Sequence, residues 1–174
     1  SDTDRIDAFL NLNNEYSYNL NYSIKAYKLA EKINDKKRMA LVLSYRAYIP
    51  NFSSIDKIKD LRKVLDLFEE INFDSIDIMY TYQDLAYCYS EISNYENALS
   101  SLRKGILLAN KPIDYLMFHQ IFTIIYTDNK NYEKAKEYYE KAINIITNDS
   151  TLREGWGYEN WIGSKVSYQK GLAN

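Results

Sequence analysis

The run Asn94-Tyr95-Glu96-Asn97-Ala98 returns 37 positions later as Asn131-Tyr132-Glu133-Lys134-Ala135. Residues on either side keep that offset: Leu85 answers to Phe122, Ala86 to Thr123, Tyr89 to Tyr126, Leu102 to Tyr139, Gly105 to Ala142 and Ile106 to Ile143. A self-similarity with a period of roughly 20–50 residues means that one supersecondary unit is stacked on copies of itself, because a single unit is too thin to bury its own apolar face. A repeat architecture follows before any one element is assigned.

Within the repeat the apolar spacing is helical. Ala135, Tyr138, Tyr139, Ala142, Ile143 and Ile146 fall on one continuous helical face, while Lys134, Lys136, Glu137, Glu140 and Lys141 form a solvated one. Ala26, Leu29, Ala30 and Ile33 trace an equivalent stripe, and Met39, Val42, Leu43, Ala47 and Tyr48 another. The small residues Ala86, Ala98, Gly105, Ala135 and Ala142 mark points where helix axes approach closely, since a larger side chain would force them apart. With only five glycines and two prolines in 174 residues, the chain has little material for β-turns. An all-α fold is predicted.

The residues Tyr82, Leu85, Ala86 and Tyr89, followed by Ala98, Leu102 and Gly105, resemble the paired-helix pattern of the tetratricopeptide repeat; His119, Phe122, Thr123, Tyr126, Ala135, Tyr139 and Ala142 repeat it. Two features depart from the family. Its first-helix glycine is replaced by Ala86 and Thr123, and the usual period of about 34 residues is longer here, which predicts longer second helices. The resemblance implies an α-α superhelix of stacked antiparallel helix pairs, in one domain over residues 1–174. Four units are expected at about 4–35, 37–72, 75–110 and 112–147, with a terminal helix at 151–171 that holds Trp156, Tyr158, Trp161, Ile162, Gly163 and Val166.

Helix starts carry short polar caps: Ser53 or Ser54, Asp74 or Ser75, Asn94, Asn131, and Asp149 or Ser150. Pro112 suits a first helical turn, where its missing donor is not needed. Pro50 predicts that the second unit's first helix stops near it, with a linker from Asn51 to Ser54.

Several function classes are disfavoured. A net charge of −2 gives no clustered basic surface for phosphates, and Lys36, Lys37 and Arg38 adjoin Asp35 at a helix junction. No apolar run approaches bilayer length, so a soluble domain is expected, with its compartment open. Single Cys88 reads as a packed thiol. Lone His119 falls at a family packing position with no nucleophile paired to it by a local motif. Carboxylate pairs such as Glu137 and Glu140 lie on polar faces, and no metal-ligand cluster, phosphate loop or dinucleotide fingerprint is present. No enzyme, cofactor or metal is expected. The Asn-x-Ser sequons at Asn21, Asn51 and Asn148 match what chance gives in a chain this rich in Asn and Ser.

The resemblance implies instead a concave surface lined by first helices. Its inward positions are Leu41, Ser44 and Tyr48, then Tyr80, Gln83 and Tyr87, then Met117, Gln120, Ile124 and Thr127, continued by Gly157, Asn160 and Ser164. Tyrosine offers apolar area with a polar tip, and Gln and Asn can bond to a peptide backbone. The implied function is a non-enzymatic scaffold that takes a protein or peptide partner, self-association included. The row is neutral, unlike repeats that clamp acidic chaperone tails with Lys and Arg, and this favours a less charged ligand. A second resemblance, carried by Asp2 to Ile6 and Lys28 to Lys37, is to sensor arrays of bacterial signalling proteins. It implies a ligand-sensing region placed before a kinase or DNA-binding module.

Overall fold

The computed structural model describes residues 1–15 and 19–153, together with Lys165 and Gln169. Among these residues every regular element is helical: α1 (Asp2–Glu15), α2 (Leu20–Lys32), α3 (Lys36–Arg46), α4 (Ser54–Glu70), α5 (Ser75–Glu91), α6 (Tyr95–Ile106), α7 (Pro112–Asp128) and α8 (Tyr132–Asn148), closed by a 3-10 turn at Ser150–Arg153. Alternating helices and short turns give the hairpin repeat expected of a helical solenoid. The expected terminal helix at 151–171 falls almost wholly outside the described residues.

The helices gather into two compact units, Ser1–Cys88 and Tyr89–Asn174. In the first, α1 packs on α2, α2 on α3 and α3 on α4. Its core joins Ile6, Ala30, Val42, Leu43, Val64 and Phe68, and Ile78 of α5 packs against that cluster. In the second, α7 lies against both α6 and α8, and Leu116 of α7 packs with Ala142 and Ile146 of α8. Ala30, Ala40, Ala86, Ala98, Ala135 and Ala142 are completely buried. Nothing larger would fit where backbones run this close.

The turns repeat as faithfully as the helices. Asn94 Oδ1 accepts from the Asn97 amide at 3.3 Å, and Asn131 Oδ1 accepts from the Lys134 amide at 3.2 Å, so each second helix is capped by the same residue of the repeat. The preceding helix ends are closed by a bond spanning five residues, from the Asn94 amide to the Tyr89 carbonyl at 2.9 Å and from the Asn131 amide to the Tyr126 carbonyl at 2.8 Å. Asp35 to Ala30 and Phe73 to Phe68 close α2 and α4 in the same way. Each closure requires a left-handed residue, supplied by Asn34, Asn72, Ser93 and Lys130. Pro112 opens α7, where the Asp114 carboxylate accepts from the Lys111 amide at 3.1 Å.

Two sequence expectations need correction. α3 ends at Arg46 rather than near Pro50, because the amides of Ala47, Tyr48 and Ile49 turn to carbonyls three residues back. The residue before a proline resists the α conformation, and the tightening starts ahead of it. Nor does the longer period lengthen α6, which stops at Ile106; the extra residues lie in the turn from Leu107 to Lys111, where Leu107 is 83% exposed. The basic triplet is consumed internally. Arg38 forks onto Asp7 at 2.8 and 2.9 Å and reaches Asp35 at 2.8 Å, Lys36 meets Glu70 at 2.6 Å, and Lys37 sits 5.2 Å from the Phe73 ring centre.

Candidate functional site

Of the sequence-derived row, Tyr48, Tyr80 and Tyr87 present 52%, 40% and 40% of their surface. Ser44 and Leu41 are half-buried. Gln83, Met117, Gln120 and Thr127 are buried, and Ile124 is half-buried. Asn160 lies outside the described residues, as do Gly157 and Ser164. The accessible part of the row therefore belongs to α5 and to the end of α3 with the turn that follows it.

Within the first unit these residues converge on a cleft of about 210 Å³ that Ser44, Tyr48 and Tyr80 share with Tyr45, Asp77 and Asp84. Leu41 and Phe68 supply its apolar lining. The early end of α3 matters here, because it places Tyr48 in a turn from which its hydroxyl donates to Asp84 Oδ2 at 2.9 Å. The hydroxyls of Ser44 and Thr81 donate to carbonyls of their own helices, at 3.1 and 2.7 Å.

Charge is what the sequence row missed. Among the described residues no lysine, arginine or histidine lines the cleft, while two carboxylates do. Burial pushes the Asp84 carboxyl up to about 6, against the opposing pull of the Tyr48 hydroxyl and of Lys57. Burial likewise raises Asp77, aided by Asp74 and opposed by Lys37. The signal was available in the repeat itself: 37 positions beyond Asp84 stands Ile121, which is 2% exposed. A carboxylate thus occupies a register where the other copy places core. Asp77 corresponds to Asp114, whose carboxylate caps the Asn110 and Lys111 amides, a task Asp77 does not share.

A larger opening of about 900 Å³, also in the first unit, lies over α4 and is lined by Tyr27, Phe52 and Ile55. Its deepest charges are spent on each other, Arg46 facing Asp60 at 3.0 Å, and the Arg46 guanidinium stacks 5.0 Å from the Phe52 ring centre. Lys59, Arg62 and Lys63 mingle there with Asp56 and Asp66, so the opening has no dominant sign. It selects no ligand class.

His119 belongs to an aromatic cluster in the second unit. Its ring lies 5.7 Å from that of Tyr138, which in turn stacks on Phe122 at 4.3 Å and on Tyr126 at 5.6 Å. Burial, with Lys141 nearby, pushes its pKa down to about 4. A neutral imidazole in such surroundings packs; no nucleophile among the described residues is hydrogen-bonded to it. Cys88 is buried. No group of three or more His, Cys, Asp or Glu side chains poised for a metal ion occurs among the described residues. No described helix is long and apolar enough to cross a membrane.

The tetratricopeptide repeat model matches residues 80–112, which cover most of α5 and all of α6, and residues 124–149, which cover the end of α7 and all of α8. The chain has no match among curated proteins. Tetratricopeptide repeats serve in general as scaffolds for protein–protein interaction. With its internal repeat, its capped helical hairpins and these two matched segments, the chain carries tetratricopeptide repeats over residues 80–112 and 124–149.

Proposed function

We propose that this chain is a non-enzymatic docking module that captures a partner protein through an extended or helical segment laid along the α3 and α5 faces. The supporting observation is the exposure of Tyr48, Tyr80 and Tyr87, three large aromatic side chains of the first unit that present 40% or more of their surface. Tyrosine contributes contact area at low entropic cost and keeps a hydroxyl for the partner's backbone. Elsewhere the polar faces of the hairpins hold salt-bridged surface, such as Glu137 between Lys134 and Lys141 at 2.7 Å each, which suits solvent better than a partner.

The test is capture of displayed random peptides by the intact chain and by a Tyr80→Ala, Tyr87→Ala double variant. About a tenfold loss of capture is expected, since interface aromatics commonly carry more than 1 kcal/mol each, with unfolding transitions that coincide. Undiminished capture by the double variant would remove α5 from the docking surface.

A further inference from the structure

We infer that the cleft between α3 and α5 receives a cationic side chain, the lysine or arginine of a partner protein. This rests on the reading of the α3 and α5 faces as the docking surface and specifies its chemistry. It also revises the neutral-ligand expectation drawn from the row alone.

Four observations carry it. First, the cleft has a fixed sign: Asp77 and Asp84 line it and, among the described residues, no cationic residue does. Second, the charges are not neutralised internally. Asp84 has the Tyr48 hydroxyl as its hydrogen-bond donor, and among the described residues neither Asp77 nor Asp84 has a lysine, arginine or histidine within ion-pair distance. Other carboxylates in the first unit, Asp7, Asp35, Asp60 and Glu70, have such partners. Third, Tyr45, Tyr48 and Tyr80 wall the cleft, and aromatic walls with carboxylates suit a cation twice over, by ring-face attraction and by charge-assisted hydrogen bonds. Fourth, the carboxylate breaks the repeat register, since Ile121 takes the place of Asp84 in the other copy. A polar residue kept where the fold would accept an isoleucine marks a position held for something other than packing.

Size and stoichiometry narrow the ligand. At about 210 Å³ the cleft falls below the roughly 300–1,000 Å³ of small-molecule sites, and so suits one side chain of a larger partner. Two carboxylates without a third His, Cys, Asp or Glu ligand are a poor metal site. An ammonium or guanidinium with a long apolar stem matches both the acidic end and the Leu41 and Phe68 lining.

The experiment selects random twelve-residue peptides on the intact chain and locates the bound ones by backbone amide shifts. Enrichment of lysine or arginine, shifts centred on Tyr45, Tyr48, Tyr80 and Asp84, and roughly tenfold weaker binding to an Asp84→Asn variant are expected. An Asp77→Asn variant should weaken binding in the same direction. Replacing the peptide cation by norleucine should weaken binding by a similar factor. Binding of the lysine peptide should also weaken as pH falls from 7.5 to 5, because the Asp84 carboxyl, with Asp77, Tyr45, Tyr48, Tyr80 and Lys57 around it, gains its proton near 6. Peptides that shift α3 and α5 without cation enrichment would overturn the inference and leave the docking face standing. Peptides that bind elsewhere, or no retained peptides at all, would overturn both.

Discussion

α5 and α7 are one repeat element written 37 residues apart, and they treat water differently. In α7, Leu116, Met117, Phe118, Ile121, Phe122 and Ile125 are all buried, and Phe122 anchors a stack with Tyr126 and Tyr138. In α5 the counterparts of Met117 and Ile121 are Tyr80, at 40% exposure, and Asp84 with its raised carboxyl. Both helices keep Leu85 or Phe122 and Ala86 or Thr123 inside, so the packing side is preserved. The change in exposure falls on the other side. A repeat can thus hold its fold with one stripe of a helix and leave the rest free to acquire chemistry.

The largest effect that could break this contrast is at Phe122. Its truncation to alanine removes a ring stacked at 4.3 Å and should cost about 3–5 kcal/mol in urea unfolding, whereas Tyr80→Ala should cost less than about 1 kcal/mol. Comparable losses would erase the distinction between the helices. Next, giving α5 the residue of α7 through Asp84→Ile should raise stability at pH 7.5 by about 1–2 kcal/mol, since a desolvated carboxylate is exchanged for packed carbon. Destabilisation there would mean that Asp84 holds the fold rather than a ligand.

The pH response sharpens the same comparison because the two sites have opposite signs. His119 has a folded pKa of about 4 against 6.5 unperturbed, so between those values the unfolded chain binds the proton and stability falls as pH falls. Asp84 has a folded pKa of about 6 against 3.8, so in its window the folded chain binds the proton and stability rises as pH falls. Unfolding at pH 7.5 and 5 should therefore show Asp84→Asn more acid-sensitive than the parent and His119→Phe less so. The smallest effect concerns the turns. Lys130→Gly and Ser93→Gly relieve left-handed residues with φ of 58° and should each add about 0.5–1 kcal/mol; a loss would show that those side chains contribute more than their backbone strain costs.

What the sequence disclosed follows from what repeats. Asn94 and Asn131 were legible as caps because both precede the same apolar stripe, and Ala98 and Ala135 as crossing points because small residues recur there. Ser93 and Lys130 were not legible as left-handed residues, since neither has the glycine or asparagine chemistry that announces one. The row of inward positions was read by analogy of register, which cannot tell Gln83, folded inside, from Tyr80, left out. Asp84 was overlooked for a related reason: the row skipped its position, and an aspartate in a helix reads as surface until a neighbouring hairpin covers it. Setting α5 directly beside α7 would have exposed it.

If the α3–α5 cleft takes a cation as proposed, its acidic pair would also govern refusal. Around physiological ionic strength a charge is felt over about 8 Å, so on the proposed docking Asp77 and Asp84 would exert little pull on a distant molecule and would act on one already touching the tyrosines. Encounter would then be decided by shape, and sorting by sign would come afterwards, at contact. On the proposed docking of a cation, an acidic tail brought to this face would find two more negative charges and, among the described residues, no cation lining the cleft, and it would be turned away after arrival rather than before.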